Sequence, residues 1–150
     1  MRYFEDFVTG ERTTLGSHTM TEAEMLAYAR KYDPQSFHID ADAARRSIFG
    51  GLIASGWHTC AIVMRLSVEA HRRMDAAGAG SPGVESCRWL KPVRPGDTVT
   101  AVTEVLETWP SRSRPIGFAR RRTEVTNQHG ETVLTLVGIS MYRRRDGAGA

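Results

Sequence analysis

Apolar positions recur along this chain with two different periods, helical in the first half and alternating in the second. The opening, Tyr3 to Met20, alternates loosely around Gly10 and Gly16 and reads as a loop and a short strand. A helix is then predicted from Thr21, which with Glu24 has the form of a capping box. Ala23, Met25, Leu26, Ala27 and Ala29 carry its apolar face to about Tyr32, and Pro34 stops it, because a residue before proline resists the helical region. The stretch from Asp33 to Gly51 breaks into a turn, a small helix over about Asp40–Arg46 and a loop from Ser47 to Gly51. A second, longer helix is predicted from Ser55-Gly56 to about Met74, with Ile62, Val63, Leu66 and Ala70 in its stripe and Cys60 and Met64 widening it. Arg65 is the one charge between Leu52 and Leu66, the pattern of a helix sheathed by other structure.

Ala76 to Gly83 reads as a Gly/Ala/Pro linker. Strands follow: Val84–Leu90, Thr98–Thr108, Ile116–Thr126 and Glu131–Tyr142. Lys91 to Asp97 is turn-rich, Asn127 to Gly130 makes a hairpin-like connection, and the tail after Arg145 is expected to fray. An antiparallel sheet wrapped around one apolar helix satisfies this order, an α+β arrangement in a single domain over 1–150.

Composition narrows the class. With 41% hydrophobic and 25% charged residues, a chain of 150 residues has material for a core and is not of the disordered type. No apolar run approaches the roughly 18 residues that span a bilayer, so no membrane role is expected. The acidic opening MRYFEDFVTGE lacks the apolar segment of a signal peptide, and Cys60 and Cys87 are too few and too scattered for a disulfide framework or a zinc site. A reduced, cytoplasmic setting is the expectation. The net charge of +3 is concentrated in Arg120-Arg121-Arg122 and Arg143-Arg144-Arg145, but strand alternation splits such runs between two faces. Nothing resembles a nucleic-acid motif.

Candidate chemistry sits in Tyr32-Asp33-Pro34-Gln35-Ser36-Phe37-His38-Ile39-Asp40. An acid and an imidazole five residues apart flank a proline turn, outside any periodic element. A loop fixed by proline can aim both into one cleft and hold water between them, so that a proton is taken from water and one is delivered to carbon. The plainer alternative makes Asp33 a helix end or Asx-turn and His38 a satisfied, half-buried histidine. The second candidate is Ile53-Ala54-Ser55-Gly56-Trp57, at the mouth of the apolar helix. Unpaired amides there stabilise a developing oxyanion, and glycine admits a close carbonyl; equally, Ser55 is an ordinary N-cap and Gly56 a packing accommodation.

Taken together, the two features resemble the MaoC-like dehydratases, the group that includes R-specific enoyl-CoA hydratases. Asp33-Pro34-Gln35-Ser36-Phe37-His38-Ile39-Asp40 is similar to that family's Asp-x-Asn-Pro-apolar-His-x-Asp signature, and the family's oxyanion glycine falls without a gap on Gly56. Phe49 to Gly56, Val93 to Thr98 and Asn127 to Glu131 are similar to further family segments, so the resemblance covers roughly Glu5 to Tyr142. Gln35 and Ser36 stand where Asn-Pro is usual, Leu52 replaces a proline, Ser55 a histidine, and Met64 a serine found in some hydratases.

The resemblance implies a hotdog fold and reversible addition of water across the α,β double bond of an acyl thioester. It makes Asp33 and His38 the acid–base pair and the Gly56 amide the oxyanion donor. Ser55, Phe37, Phe49, Trp57 and Arg94 are then expected to contact substrate, with Met64 and Trp89 as further tunnel candidates. Coenzyme A or an acyl carrier would be the substrate's handle, with Arg88, Arg94 or Arg120–Arg122 open as phosphate partners. No metal or other cofactor is expected, and an exposed sheet edge implies a homodimer or a dimer of dimers. Two rivals use the same fold: a thioesterase, for which the first acid after Gly56 is the distant Glu69, and a non-catalytic acyl-thioester-binding protein.

Overall fold

A computed structural model describes residues 1–147. After a 3-10 turn at Phe4–Asp6 come strand β1 (Arg12–Thr19) and helices α1 (Glu22–Tyr32), α2 (Ser36–Ile39), α3 (Ala41–Arg46) and α4 (Gly56–Arg73). Strands β2 (Gly78–Trp89), β3 (Thr98–Pro110), β4 (Ile116–Thr126) and β5 (Thr132–Arg143) complete the chain. The five strands form one antiparallel sheet in the order β1-β3-β4-β5-β2.

The core follows from the two periods. Val99, Ala101, Thr103 and Val105 alternate inward from β3, as do Ala119, Arg121, Thr123 and Val125 from β4. Ile62, Val63, Leu66 and Ala70 of α4 meet this face in one cluster with Leu15, Val125, Val133 and Leu134. Gly16 lets helix and sheet approach: its φ is +145°, and a Cβ there would sit 3.1 Å from Leu66. A smaller cluster at the other end stacks Phe7 on Tyr142, ring centres 4.0 Å apart, beside Val105 and Ala119.

The expected helices are present, and Thr21 caps α1 by accepting the Glu24 N–H. Three expectations need correction. The segment read as a linker, Ala76 to Gly83, mostly belongs to β2, which pairs with β5 from Gly78↔Tyr142 onward. Its composition hides it because β2 is an edge strand held by the β5 ladder and by Ser81, whose hydroxyl donates to the Ile139 carbonyl at 2.6 Å. Pro82 and the left-handed Gly80 are tolerated there, at breaks in the register. Secondly, α4 is sheathed on one side only: Trp57 and Met64 are 61% and 62% exposed. Finally, His38 lies in the short helix α2 rather than outside regular structure.

Cys60 on α4 and Cys87 on β2 are free thiols with their sulfurs 3.6 Å apart, so residues scattered in sequence meet in space. Burial pushes the Cys60 thiol up to about 12, which keeps it protonated. Among the described residues no helix is long and apolar enough to cross a membrane.

Candidate active site

Three backbone features converge on one carboxylate. Asp33 is the residue at which α1 ends, its N–H still donating to Ala29 while Pro34 turns the chain away. Gln35 opens α2 and Ser55 opens α4, yet neither side chain caps its own helix. Both turn to Asp33 instead: Ser55 Oγ donates to Oδ2 at 2.7 Å and Gln35 Nε2 donates to Oδ1 at 2.8 Å. A side-chain cap normally contributes about 1 kcal/mol to its helix, so two helices forgo that stabilisation to fix one carboxylate. Burial opposes the charge on Asp33, but these two bonds and the nearby His38 outweigh it and hold the carboxyl below its usual range.

His38 is 5% exposed and its ring is oriented from behind. Nδ1 lies 2.8 Å from the Ile53 carbonyl, which can only accept, so Nδ1 carries the hydrogen. In the neutral ring Nε2 is then a lone pair, 3.3 Å from Asp33 Oδ2. Two acceptors facing each other at that distance are suited to share a proton from a third group between them, or to pair once the ring is protonated. Phe37 stands edge-on to the imidazole, centroids 4.6 Å apart, and meets Phe49 at 5.2 Å.

At the mouth of α4 the first-turn N–H groups, Gly56 among them, have no acceptor within the helix. Gly56 admits no side chain: a Cβ would lie 2.4 Å from Trp89 Nε1, whose indole covers that position. Asp33, His38, Phe37, Phe49, Gly56, Trp57 and Trp89 line one cleft of about 450 Å³. Acid, base, open amides and apolar walls thus share a space of ligand size, an arrangement able to hold a carbonyl while moving a proton at a nearby carbon.

The other candidates fall elsewhere. Ser55 is buried behind Asp33, and Arg94 lies outside the cleft lining, its guanidinium donating to the Phe49 carbonyl and so holding the 47–51 loop. Arg120 pairs with Glu85 and Arg122 with Glu104, whereas Arg121 points into the core. Met64 lines a second cavity. Glu69 is on the solvent side of α4, 3.7 Å from Arg65 and away from the cleft. Sequence reasoning missed the Ile53 carbonyl, Thr59 and Lys91, which also border the site. A backbone acceptor carries no residue-type signal; Lys91 lay in a segment read only as a turn.

The sequence profile described as "MaoC like domain" matches residues 6–131. A solved structure described as a MaoC-like dehydratase from Rhodospirillum rubrum is 38% identical, covers 97% of this chain and 99% of its own, and superposes with a TM-score of 0.88. An (R)-specific enoyl-CoA hydratase from the same organism is 29% identical over 84% of this chain and 82% of its own. Mesaconyl-CoA hydratase from Cereibacter sphaeroides is 29% identical over 98% of this chain, which spans only 43% of that longer protein. Structural neighbours include an (R)-hydratase from A. caviae, with a TM-score of 0.71, and they share the hotdog arrangement of sheet and central helix.

Proposed function

The chain belongs to the MaoC-like dehydratase family, and on that premise we propose that it is a hydratase/dehydratase acting on an α,β-unsaturated acyl thioester. One observation carries the assignment of its acid–base pair: two helix-capping side chains, Gln35 and Ser55, abandon their helices to hold Asp33 ionised beside His38 Nε2. A purely structural aspartate at a helix end has no need of such support.

In this reading a water molecule sits between Asp33 Oδ2 and His38 Nε2. Nε2 takes one of its protons as the water oxygen bonds to Cβ; the π pair of the double bond moves to Cα and onto the thioester oxygen. The Gly56 N–H receives that oxygen, where a fixed donor stabilises charge that develops only in the transition state. Asp33 balances the imidazolium, and Nε2–H returns the proton to Cα, leaving a 3-hydroxyacyl thioester. The reaction so written uses protein groups, water and the thioester alone. Coenzyme A or an acyl carrier would lie toward the open side of the cleft, near Lys91 and Trp57. The two free thiols agree with a reducing, cytoplasmic compartment and a role in acyl-chain metabolism.

The test is hydration of a series of trans-2-enoyl-CoA esters, with loss of the conjugated absorbance and thiol release followed in parallel. Asp33→Asn and His38→Ala are each expected to lower kcat/KM about 10²–10⁴-fold while the fold is retained. Thiol release without hydration, or hydration that survives both substitutions, would sink the proposal.

A homodimer is part of the same reading. The free edge of β2 and the exposed Trp57, Met64 and Val84 give a second copy both backbone and apolar surface to cover.

A further inference from the structure

Arg121 has no part in the chemistry above and is in an unusual position for a permanent cation. It projects from the core face of β4 and is 6% exposed. Nη1 donates to the Tyr142 hydroxyl at 2.6 Å and lies 3.3 Å from His71 Nε2, while Nε is buried with no hydrogen-bond partner. Arg120 and Arg122 on either side are paired with glutamates; no carboxylate among the described residues pairs with Arg121.

Its neighbours carry no negative charge. His71 Nδ1 lies 2.6 Å from the Ser67 carbonyl and so bears the hydrogen; this leaves Nε2 to accept from Tyr142 at 2.7 Å. Burial, aided by the guanidinium and opposed by the Ser67 bond, lowers His71 and keeps it neutral. Burial raises Tyr142 against the pull of Arg121, so its hydroxyl stays protonated. The Phe7 ring, 5.9 Å away, adds only its π face. A guanidinium taken out of water without a counter-charge costs several kcal/mol, and a hydroxyl and an aromatic ring offset only part of that.

This cation borders a cavity of about 470 Å³ between α4 and the sheet, with no lining residue in common with the catalytic cleft. Val63, Met64, Val68, Leu136 and Ile139 give it apolar walls, and Arg121 is its one permanently charged lining residue. Both volume and lining are those of a small-molecule site.

We propose that this cavity binds an amphiphile with an apolar chain and a terminal carboxylate, the carboxylate received by Arg121 and the chain by the apolar walls. One cation matches one anionic group, and the planar guanidinium fork suits a carboxylate. Such a ligand has two sources. A free fatty acid can occupy the cavity alone. Alternatively, the carboxylate is the far end of an acyl chain whose thioester lies in the catalytic cleft, since Thr59 of the cleft and Cys60 of the cavity are consecutive on α4. His71 is fifteen positions beyond Gly56, about 22 Å along the helix, so only a long chain reaches from one to the other.

Calorimetric titration of the wild-type protein with octanoate and with 1-octanol tests the shared chemistry. Octanoate is expected to bind at least tenfold more tightly, with Arg121→Met abolishing that preference and Arg121→Lys keeping part of it. In case Arg121→Met does not fold, the Arg121 Nε–H resonance of the wild type is followed by NMR and is expected to shift with octanoate but not with 1-octanol. Equal binding of the two probes, an unmoved Nε–H signal, or a preference that survives in Arg121→Met overturns the proposal. Hydration of trans-2-hexadecenoyl-CoA with and without an ω-carboxylate then separates the sources. A tenfold advantage of the ω-carboxyl ester that is lost in Arg121→Met identifies the acyl end, and octanoate binding without that advantage identifies a free acid. Only the kinetic comparison rests on the hydratase reading, so failure of that reading leaves the titration intact.

Discussion

At the scale of single residues, Ser55 has a sharply defined expected effect. Its hydroxyl is among the influences that hold Asp33 ionised, against burial. Hydrogen bonds to a charged group contribute about 1.5–3 kcal/mol. Ser55→Ala should therefore let Asp33 protonate at higher pH, moving the acid limb of kcat/KM up by about one pH unit or more. A profile unchanged by the substitution would mean that Asp33 is held by Gln35 and His38 alone. Asp33, His38 and Gly56 were legible in the sequence because their spacing is local and their residue types are those of proton transfer. The diversion of Ser55 was not: it stands 22 positions from Asp33, and its place before a helix is explained equally well by an ordinary cap.

At the scale of elements, α4 carries a pH dependence in its first turns. His58 is 6% exposed, stacked on Tyr28 at 4.6 Å, with Glu24 at 3.8 Å and His18 beyond it; its Nδ1 has no partner. Burial lowers its pKa from the usual 6.5, although Glu24 pulls the other way. Its folded value is thus below its unfolded one, so the unfolded chain takes up a proton first as pH falls. Stability from this group is complete above about 6.5, declines as pH drops below that, and levels off beneath the folded value. The melting temperature should fall between pH 7.5 and 5.5, by about 2–4 °C for each kcal/mol lost, and His58→Gln should flatten the decline. An equal decline in the variant would exclude His58 as its source. The helices and β3 to β5 were readable because their periods are set by burial on one face. β2 was half hidden: Gly78, Gly80, Pro82 and Gly83 are poor strand formers, and the ladder to β5 decides their state.

At the scale of the whole molecule, one sheet face is covered by α4, while the β2 edge and the outer side of α4 are left open. Pairing two copies along β2 would satisfy both, and light scattering should give twice the chain mass of 16.7 kDa. A monomer at that mass over a range of concentrations would remove the dimer from the proposal. The helix was expected to be sheathed because its sequence is apolar; exposure of Trp57 and Met64 is what an apolar helix shows when part of its covering is not within its own chain. Trp57 and Trp89 have a further consequence. Their rings meet edge to face, 5.1 Å apart, at the cleft, whereas Trp109, the third tryptophan of the chain, stacks on Phe118 on strands β3 and β4. Two of three indoles therefore border the space a substrate must enter, and Trp89 covers Gly56 itself. Intrinsic emission from this protein is weighted toward the reacting end of the fold, which gives occupancy of the cleft an optical signal without any attached dye.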